Sequence, residues 1–343
     1  MPSRYRQIDH DPGLLASLGG KTVIVTGGAA GIGAATVKLC NSNGANVVMA
    51  DLEHTRYATK AVVADLPHPD KALFVPADIL DWRQMRGVFE KTVERFGRVD
   101  VVVANAGTME SAMVLDLDDT EADGSPKEPR EAYKVIDVNL KGTLNSKSSS
   151  RVNVQSNSHH ELTRKLRQNT ALKLAMHYMN KTATPATPGS IILIASTSGY
   201  FGSTGVSAYI ASKHGVVGLL RAAQVEARKR GNIRVNGVAP AFTPTAITAE
   251  YSQRWKETGL ESNTVEDVAG VVAQTAVDAR LKGACVLVAG KYRREMEQTR
   301  AAFAKDWIGE DLAGVLSSGA KFFEAIGGYP LPKRVDLGPI QHM

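Results

Sequence analysis

A serine, a tyrosine and a lysine stand close together in the segment STSGYFGSTGVSAYIASK (196–213). Tyr209 follows Ser196 by thirteen positions and Lys213 follows Tyr209 by four, so the last two share a face if the stretch is helical. A phenol with a pKa of about 10 is a poor base at neutral pH, but a nearby ammonium favours its ionised form. The spacing therefore predicts proton transfer by Tyr209, with Lys213 adjusting its acidity and Ser196 orienting the reacting oxygen.

Each of these residues also has an ordinary structural explanation. A tyrosine can serve as a buried amphipathic ring and a lysine as a solvated side chain, and for either residue alone this is the simpler interpretation. Ser196 is more informative because it directly follows the apolar run SIILIA (190–195). That position is the carboxyl end of a predicted strand, where open α/β sheets place their ligands and their chemistry.

A second group of residues, TGGAAGIG (26–33), follows the first predicted strand and opens the first predicted helix. Its glycines are spaced Gly-x-x-x-Gly-x-Gly and allow the backbone to turn tightly and approach a pyrophosphate at the helix N-terminus. Glycines also serve in plain turns, but this position after an N-terminal apolar strand favours dinucleotide binding. The predicted pyrophosphate-binding residues are Gly27, Gly31, Ile32 and Gly33.

Asp51 ends the second predicted strand, where a carboxylate can accept hydrogen bonds from both hydroxyls of the adenosine ribose. The same charge would repel a 2′-phosphate, and residues 28–30 include no basic side chain, so NAD is favoured over NADP. Arg56 could attract a 2′-phosphate, but a surface arginine at the start of a helix is the simpler explanation. Asp78, after the third strand, is predicted either to accept from the adenine amino group or to cap the next helix. Oxidation of a secondary alcohol by NAD needs a base for the hydroxyl proton, which is the role predicted for Tyr209.

Short β-branched runs alternate with longer helical stretches along the chain, as in repeated βα units. Most of the runs are continuously apolar, as expected for a parallel sheet covered by helices on both faces. The sequence therefore predicts a Rossmann-like, doubly wound α/β fold with a seven-stranded, mostly parallel sheet. The predicted strands are 21–26, 46–51, 72–77, 99–104, 190–195, 233–238 and 284–289, and the predicted helices are 31–43, 81–96, 205–230 and 265–280.

One domain is predicted, because the chain shows neither an internal repeat nor a second core. We expect an N-terminal extension at 1–18, the catalytic domain at 19–290, and a C-terminal helical appendage at 291–343. The acidic stretch DLDDTEADGSPKEPR (116–130) predicts an exposed loop.

Composition narrows the class of protein. The chain has 343 residues, 43% hydrophobic and 22% charged, with no apolar run of the roughly 18 residues that a membrane helix needs and no signal-peptide pattern. Two cysteines are too few for a disulfide framework, so a cytoplasmic location is expected. Of the net charge of +6, residues 146–170 contribute +4 through five basic residues and one acidic. The rest is near neutral, so neither a nucleic-acid nor a membrane partner is predicted.

Further motifs place these residues in a known family. In order along the chain stand TGGAAGIG, NAG, VNLKG, the serine after the fifth strand, YIASK and VAPAFTPT. Over about residues 18–290 the set closely resembles the short-chain dehydrogenase/reductase family. The chain also resembles the branch that contains 15-hydroxyprostaglandin dehydrogenase and fungal secondary-metabolite dehydrogenases.

The resemblance implies a role for each matching residue. Tyr209 would be the catalytic acid/base, Lys213 would lower its pKa and hold the nicotinamide ribose, and Ser196 would steady the reacting oxygen. Asn139, in VNLKG, would hold a water of the proton relay. Ala241 stands where the family usually has glycine, which alters the loop that meets the carboxamide. The remaining residues implied to contact the cofactor or support its site are Asn105, Ala106, Gly107, Pro240, Phe242 and Thr245.

Residues 146–170 form a polar segment that interrupts a predicted helix and has too few apolar residues to extend it. In related chains this helix is continuous and usually lies at a dimer interface, which implies a homodimer or homotetramer where it is intact. When the segment is skipped, an apolar stripe with helical spacing appears. Its members are Leu140, Leu144, Leu172, Met176 and Met179.

Three hypotheses explain the segment. As a translated intron it would begin at 146–148, which can be encoded with a GTAAGT donor, and end at 170–171, which can be encoded with a CAG acceptor. As a surface loop it would be tolerated because long loops close at a modest entropic cost. A basic loop that binds nucleic acid is disfavoured because the segment contains no aromatic residue. His159 and His160 have no neighbours suited to a metal site, and no metal is predicted.

Apolar residues near the motifs predict a pocket for a lipid-like, steroid-like or aromatic secondary alcohol, although simple packing explains several of them equally well. They are Met109, Met113, Tyr200, Phe201, Phe242, Tyr251, Trp255 and Leu260. The predicted function is hydride transfer between such an alcohol and NAD. The alternative is a catalytically silent NAD-binding protein, impaired by the segment 146–170.

Overall fold

The computed structural model describes residues 5–144, 171–202 and 205–330. By its internal contacts the chain divides into two units. One unit is Tyr5–Glu297, and the other combines Gln298–Met343 with Met1–Arg4. The polar segment 146–170 lies outside the described residues.

A single sheet runs through the first unit, with nine strands among the described residues in the order β1-β9-β8-β7-β6-β5-β2-β3-β4. Strands β2 to β8 are parallel, and β9 pairs antiparallel with β8 and with β1. The predicted doubly wound α/β fold is confirmed, with all seven predicted strands present. The strands are β1 (Arg6–Gln7), β2 (Thr22–Thr26), β3 (Asn46–Asp51), β4 (Ala72–Pro76), β5 (Val101–Ala104), β6 (Gly189–Ile194), β7 (Ile233–Pro240), β8 (Cys285–Ala289) and β9 (Tyr292–Glu295).

Two short strands at the sheet edge were not predicted. Strand β9 has the sequence YRRE, which shows no apolar run, and β1 is only two residues long. They lie in the two segments that the sequence analysis set apart from the catalytic domain, so the sheet continues into both.

The described residues form eleven α-helices. They are α1 (Gly31–Ser42), α2 (Arg56–Ala64), α3 (Trp82–Phe96), α4 (Arg130–Ile136), α5 (Ala171–Met179), α6 (Ser207–Arg230), α7 (Ala249–Glu257), α8 (Val265–Val277), α9 (Glu297–Ala302), α10 (Ala304–Ile308) and α11 (Glu310–Ala325). None of these helices is long and apolar enough to cross a membrane.

The core has two layers because successive side chains of a buried strand point to opposite faces. In β2, Ile24 belongs to the cluster that also holds buried residues of α3, α5 and α6. Its neighbours Val23 and Val25 belong to the opposite cluster, with α1, α2 and α8. This double burial explains why the predicted strands read as continuous apolar runs.

The chain on either side of the segment 146–170 comes together in space. After α4 the backbone continues as one π-helical turn, Asp137–Lys141. The amide of Ala171, which begins α5, donates to the carbonyl of Gly142 at 3.4 Å. With the 25 residues 146–170 left out, Ala171 would be four positions after Gly142, so this is the bond that a continuous α-helix would make there.

The second unit contains α10 and α11. Within it, the ring of Phe323 stacks on the ring of Tyr329 with centroids 3.8 Å apart. Several apolar side chains of α11, including Leu312, Val315 and Phe322, are exposed.

Candidate active site

The predicted proton-transfer residues meet at the carboxyl end of β6. Ser196 follows β6 and begins a short 3-10 turn, Thr197–Gly199, in which its Oγ accepts from the amide of Ser198 at 3.1 Å. Tyr209 is the third residue of α6, and its hydroxyl lies near enough to the Ser196 side chain for that side chain to lower the pKa of the phenol. The thirteen-residue spacing therefore closes a loop that brings a strand end and a helix start together.

Lys213 lies one turn further along α6 and is only 5% exposed. Its Nζ donates to the carbonyl of Ile194, the last residue of β6, at 2.9 Å, and lies 5.5 Å from the ring centroid of Tyr209. Burial lowers the pKa of Lys213 to about 8. The lysine can therefore gain or lose a proton near neutral pH.

The pKa of Tyr209 is raised by the chain's own groups, with burial as the largest cause. The neighbouring side chain of Ser196 opposes this increase in the pKa of Tyr209, whereas Tyr251 and Glu110 add to it. Burial disfavours the charge on both Tyr209 and Lys213. The lowering of the Tyr209 pKa by Lys213 stays a prediction.

Asn139 is 1% exposed and is held from both sides. Its amide nitrogen donates to the carbonyl of Thr108 at 2.8 Å and to Ser212 Oγ at 3.0 Å, while its Oδ1 accepts from the amide of Thr108 at 2.8 Å. Ser212 Oγ in turn donates to the carbonyl of Tyr209 at 2.7 Å. Asn139 is thus linked to the backbone of the tyrosine, and its role as holder of a water stays a prediction.

Glu110 is a buried residue near the site that the sequence analysis missed. Its Oε1 accepts from the amide of Ala208 at 2.8 Å, and its Oε2 accepts from the amide of Tyr209 at 3.0 Å. Nothing in the sequence identifies this contact, because the partners are 98 and 99 positions apart.

The glycine loop has the close contacts that a phosphate-binding turn needs. Gly27 and Gly31 have φ of +67° and +53°, a region that favours glycine. A Cβ on Gly33 would lie 2.0 Å from the carbonyl oxygen of Gly27, so a side chain there would require the backbone to move. Ile32, between Gly31 and Gly33, is partly buried and packs against the core cluster that contains Val23 and Val25.

The NAG motif ties the end of β5 to this loop. The side-chain amide of Asn105 donates to the carbonyls of Thr26 at 2.9 Å and Gly27 at 3.1 Å, and the amide of Ala106 donates to Thr26 Oγ1 at 3.1 Å. A Cβ on Gly107 would lie 3.1 Å from Asn139 Oδ1. The motif therefore lies between the glycine loop and the proton-transfer residues.

Asp51 lies beside the glycine loop, half-buried at the end of β3. Its Oδ2 accepts from the amide of Ala29 at 3.0 Å and its Oδ1 from the amide of Leu52 at 2.8 Å. Arg56 donates twice to Glu53, at 2.5 and 2.9 Å, and its guanidinium lies 5.2 Å from the ring centroid of Phe74.

Asp78 does not cap the following helix, so that alternative is wrong. Its Oδ1 accepts from the amide of Leu80 at 2.8 Å, within a turn. The N-cap of α3 is Asp81, which accepts from the amides of Arg83 and Gln84. An adenine contact by Asp78 stays a prediction.

The segment predicted to meet the carboxamide also reaches the glycine loop. Pro240 ends β7, and the methyl carbon of Thr245 would lie 3.4 Å from a Cβ on Gly31. The ring of Phe242 stacks on that of Trp255 with centroids 4.3 Å apart, and it lies 5.5 Å from the ring of Tyr251.

Of the residues predicted to line a substrate pocket, Tyr200 is placed elsewhere. Its ring packs against the core cluster that contains Ile24, and its hydroxyl donates to Glu297 Oε1 at 2.8 Å. It therefore anchors the Thr197–Gly199 turn to the sheet edge rather than facing a ligand. Phe201 and Met113 are exposed, at 66% and 61%. Among the described residues, no group of acidic, histidine or cysteine side chains is arranged to hold a metal ion.

Comparison with known proteins agrees with this fold. The family profile described as short chain dehydrogenase matches residues 21–150 and 168–256. The 3-oxoacyl-[acyl-carrier-protein] reductase FabG of Thermotoga maritima is 31% identical over 267 residues, which cover 76% of this chain and 92% of that protein. The short-chain dehydrogenase/reductase prx4 of Penicillium rubens is 28% identical over 85% of this chain and 81% of its own length.

A solved structure gives the same result for the fold. The crystal structure of 3-ketoacyl-(acyl-carrier-protein) reductase from Brucella melitensis, complexed with NADH, superimposes with a TM-score of 0.63 at 21% identity, covering 80% of this chain and 98% of that one. The chain belongs to the short-chain dehydrogenase/reductase family, as the motifs predicted. It is an oxidoreductase of the alcohol dehydrogenase/ketoreductase type that uses a nicotinamide cofactor.

The contact at Gly33 generates the first prediction. Changing Gly33→Ala should abolish measurable NADH binding or unfold the loop, because the new Cβ would overlap the carbonyl of Gly27. Gly87→Ala in α3 is the matched control, since a Cβ there meets nothing within 4 Å. The control should bind NADH normally and gain about 0.5–1 kcal/mol of stability. Titration of NADH fluorescence and thermal unfolding measure both effects, and normal binding by Gly33→Ala would contradict this description of the loop.

Proposed function

We propose that this protein is a NAD-dependent dehydrogenase that transfers a hydride between an apolar secondary alcohol and the nicotinamide, with Tyr209 as the acid/base. The observation that carries the proposal is the convergence of Ser196, Tyr209 and Lys213 at the carboxyl end of β6, where Lys213 Nζ binds the last carbonyl of that strand and lies 5.5 Å from the ring centroid of Tyr209. The buried free thiols Cys40 and Cys285 support the cytosolic location predicted from the sequence.

The chain's residues suit the proton half of this reaction. In oxidation, the hydroxyl proton of the alcohol passes to Tyr209 as the hydride leaves the same carbon, and Ser196 holds the alcohol oxygen by a hydrogen bond. Lys213 uses one donor on Ile194, which leaves two for the ribose hydroxyls. Bound NAD supplies the hydride acceptor and a positive charge that favours the ionised phenol.

The surroundings of Asp51 support NAD rather than NADP. A carboxylate at this position accepts from ribose hydroxyls and repels a 2′-phosphate. Arg56 is the basic residue that could offset that repulsion, but it is already paired with Glu53 and lies over the ring of Phe74.

Changing Asp51→Ala should therefore reverse the cofactor preference. We expect kcat/KM for NAD to fall by about tenfold or more, because hydrogen bonds to a charged group contribute about 1.5–3 kcal/mol each, and kcat/KM for NADP to rise. Glu53→Ala is the companion variant that frees Arg56, and it should raise NADP use without harming NAD use. An unchanged ratio of the two kcat/KM values in Asp51→Ala would remove Asp51 from the specificity argument.

The test of the chemistry is the substitution Tyr209→Phe. It removes only the hydroxyl, so NADH binding should be retained while hydride transfer falls by at least about a hundredfold, the contribution typical of general acid–base catalysis. NADH formation should be followed with a panel of apolar secondary alcohols, with Tyr133→Phe as a control because Tyr133 is exposed on α4. Turnover by Tyr209→Phe at the rate of the unmodified protein would refute the proposal.

The aromatic group on the segment after Pro240 supports an apolar substrate. Phe242, Tyr251 and Trp255 form one cluster of rings, and Tyr251 lies near enough to Tyr209 to affect its pKa. An apolar wall beside the acid/base suits a lipid-like, steroid-like or aromatic alcohol.

A second candidate function is a silent NAD-binding protein, and the interrupted helix is the observation that favours it. The family profile skips residues 151–167, and Ala171 already makes the helical bond to Gly142 that removal of 146–170 would require. Beside this junction lies an apolar groove of about 490 Å³ between α5 and α6, lined by Leu172, Met176 and Leu219 among others. We propose that a second copy of the chain covers this groove.

Deletion of residues 146–170 distinguishes the two functions. We expect turnover in both forms, because the side chain of Asn139 is anchored by Thr108 and Ser212, neither of which belongs to the helix that follows it. The shortened form should unfold at a higher temperature and sediment as a dimer or tetramer. Turnover by the shortened form alone, with NADH binding by both, would instead establish the silent form, and sequencing the mature transcript would show whether the segment is a retained intron.

A further inference from the structure

Glu110 is a buried carboxyl group that the proposed reaction does not use. It lies in the loop after β5 and is 5% exposed, although it carries an ionisable side chain. Both of its oxygens face the start of α6: Oε1 accepts from Ala208 and Tyr209, at 2.8 and 3.3 Å, and Oε2 accepts from Tyr209 at 3.0 Å.

These bonds restrain the first turn of the helix that carries the acid/base. The first amides of a helix have no partner within the helix, and a buried carboxylate that accepts from them both satisfies them and suits the positive end of the helix dipole. Among the described residues of the proposed proton-transfer group, only Tyr209 has a backbone amide that donates to a buried carboxylate. Its carbonyl is held separately by Ser212. The tyrosine is thus fixed at both backbone groups.

The carboxylate of Glu110 lies against the backbone amide of Tyr209, which places a negative charge near this residue as well. The groups that act on the pKa of Tyr209 are Ser196 from the turn after β6, Tyr251 from α7 and Glu110 from the loop after β5. The ammonium of Lys213, on the same helix, lies 5.5 Å from the ring centroid. Helix α4 presents the apolar side chains of Ala132 and Val135 in the same cluster as Tyr209. The negative charge of Glu110 opposes ionisation of the phenol, since it raises the pKa of Tyr209.

We propose that Glu110 is a positioning residue for the reaction, which fixes Tyr209 through the start of α6 and places a negative charge beside it. This inference rests on the proposed function for its effect on turnover. Glu110 then has two separable effects, one on the position of the phenol and one on the pH at which the phenol takes a proton.

Two substitutions separate these effects. Glu110→Gln keeps the length, removes the charge and leaves one oxygen, which can accept from both Ala208 and Tyr209 as Oε1 does. The acidic limb of the pH profile for alcohol oxidation should then move to lower pH, because the phenol ionises more easily. Glu110→Asp keeps the charge and shortens the reach, so kcat should fall by about tenfold to a hundredfold, the loss expected from a misplaced reacting group, while the acidic limb stays in place. The affinity for NADH should be unchanged in both.

Glu131→Gln is the matched control. Glu131 accepts from the amide and hydroxyl of Ser111, in the same loop, at 3.0 and 2.9 Å, and these bonds do not involve α6. Its variant should keep both the kcat and the pH profile of the unmodified protein. An unmoved acidic limb in Glu110→Gln would overturn the electrostatic effect, and full kcat in Glu110→Asp would overturn the positioning effect.

A measurement without substrate keeps this inference separate from the proposed function. Ultraviolet difference titration of the protein against its Tyr209→Phe variant reports ionisation of Tyr209 directly. If the unmodified protein oxidises no alcohol of the panel, the proposed function fails, but ionisation at lower pH in Glu110→Gln would still support the effect of Glu110. If Glu110→Gln does not fold, the kcat and thermal unfolding of Glu110→Asp decide the positioning effect.

Discussion

The bond from Lys213 Nζ to the carbonyl of Ile194 joins the catalytic helix to the central sheet, and the geometry of the site depends on it. A buried ammonium is costly unless it is hydrogen-bonded, and the last carbonyl of β6 is the partner that this site offers it. Because Lys213 and Tyr209 share one face of α6, fixing the lysine on the strand also sets the height of the phenol above Ser196. Burial then lowers the pKa of the lysine to about 8 and raises the pKa of the tyrosine. The protein by itself therefore keeps the phenol neutral, and additional positive charge near the ring is what would release its proton.

The other end of the proposed cofactor site also lies at the carboxyl end of the sheet, but a different constraint shapes it. There the constraint is the absence of side chains, since the backbone at Gly33 passes too close to the carbonyl of Gly27 for any Cβ. Asn105 connects the two regions: it bonds to the glycine loop, and Gly107, two residues on, lies against Asn139. A dinucleotide bound at this edge would span from a loop shaped by glycine to a helix fixed by buried hydrogen bonds.

Much of the fold could be predicted because strands buried on both faces show as uninterrupted apolar runs, and the seven central strands were found in this way. Strand β9 could not, since an edge strand such as YRRE is specified by its partner and not by its own pattern. The proton-transfer residues were predicted from spacing, which sets contacts within one helix and at one strand end. Glu110 and Tyr200 were not, because the direction of a side chain in a loop depends on partners almost a hundred residues away. Asp78 was one candidate for the helix cap because the sequence does not show which of two nearby aspartates has the backbone conformation of an N-cap. In the structure Asp81 has that conformation.

The position of the segment 146–170 raises the question of why the site beside it is intact. The segment would disturb the position of the Asn139 side chain if that side chain were held by the turn that follows it. Instead, Asn139 exchanges two hydrogen bonds with Thr108 and donates a third to Ser212, and both partners belong to other elements. Thr108 and the π-helical turn that presents the side chain precede the interruption, and Ser212 lies on α6, well beyond it. The groove between α5 and α6 lies on the other side and is lined by residues of both flanks, from Leu144 to Met176. An insertion here therefore borders the groove between α5 and α6 more closely than it borders the contacts that hold the Asn139 side chain.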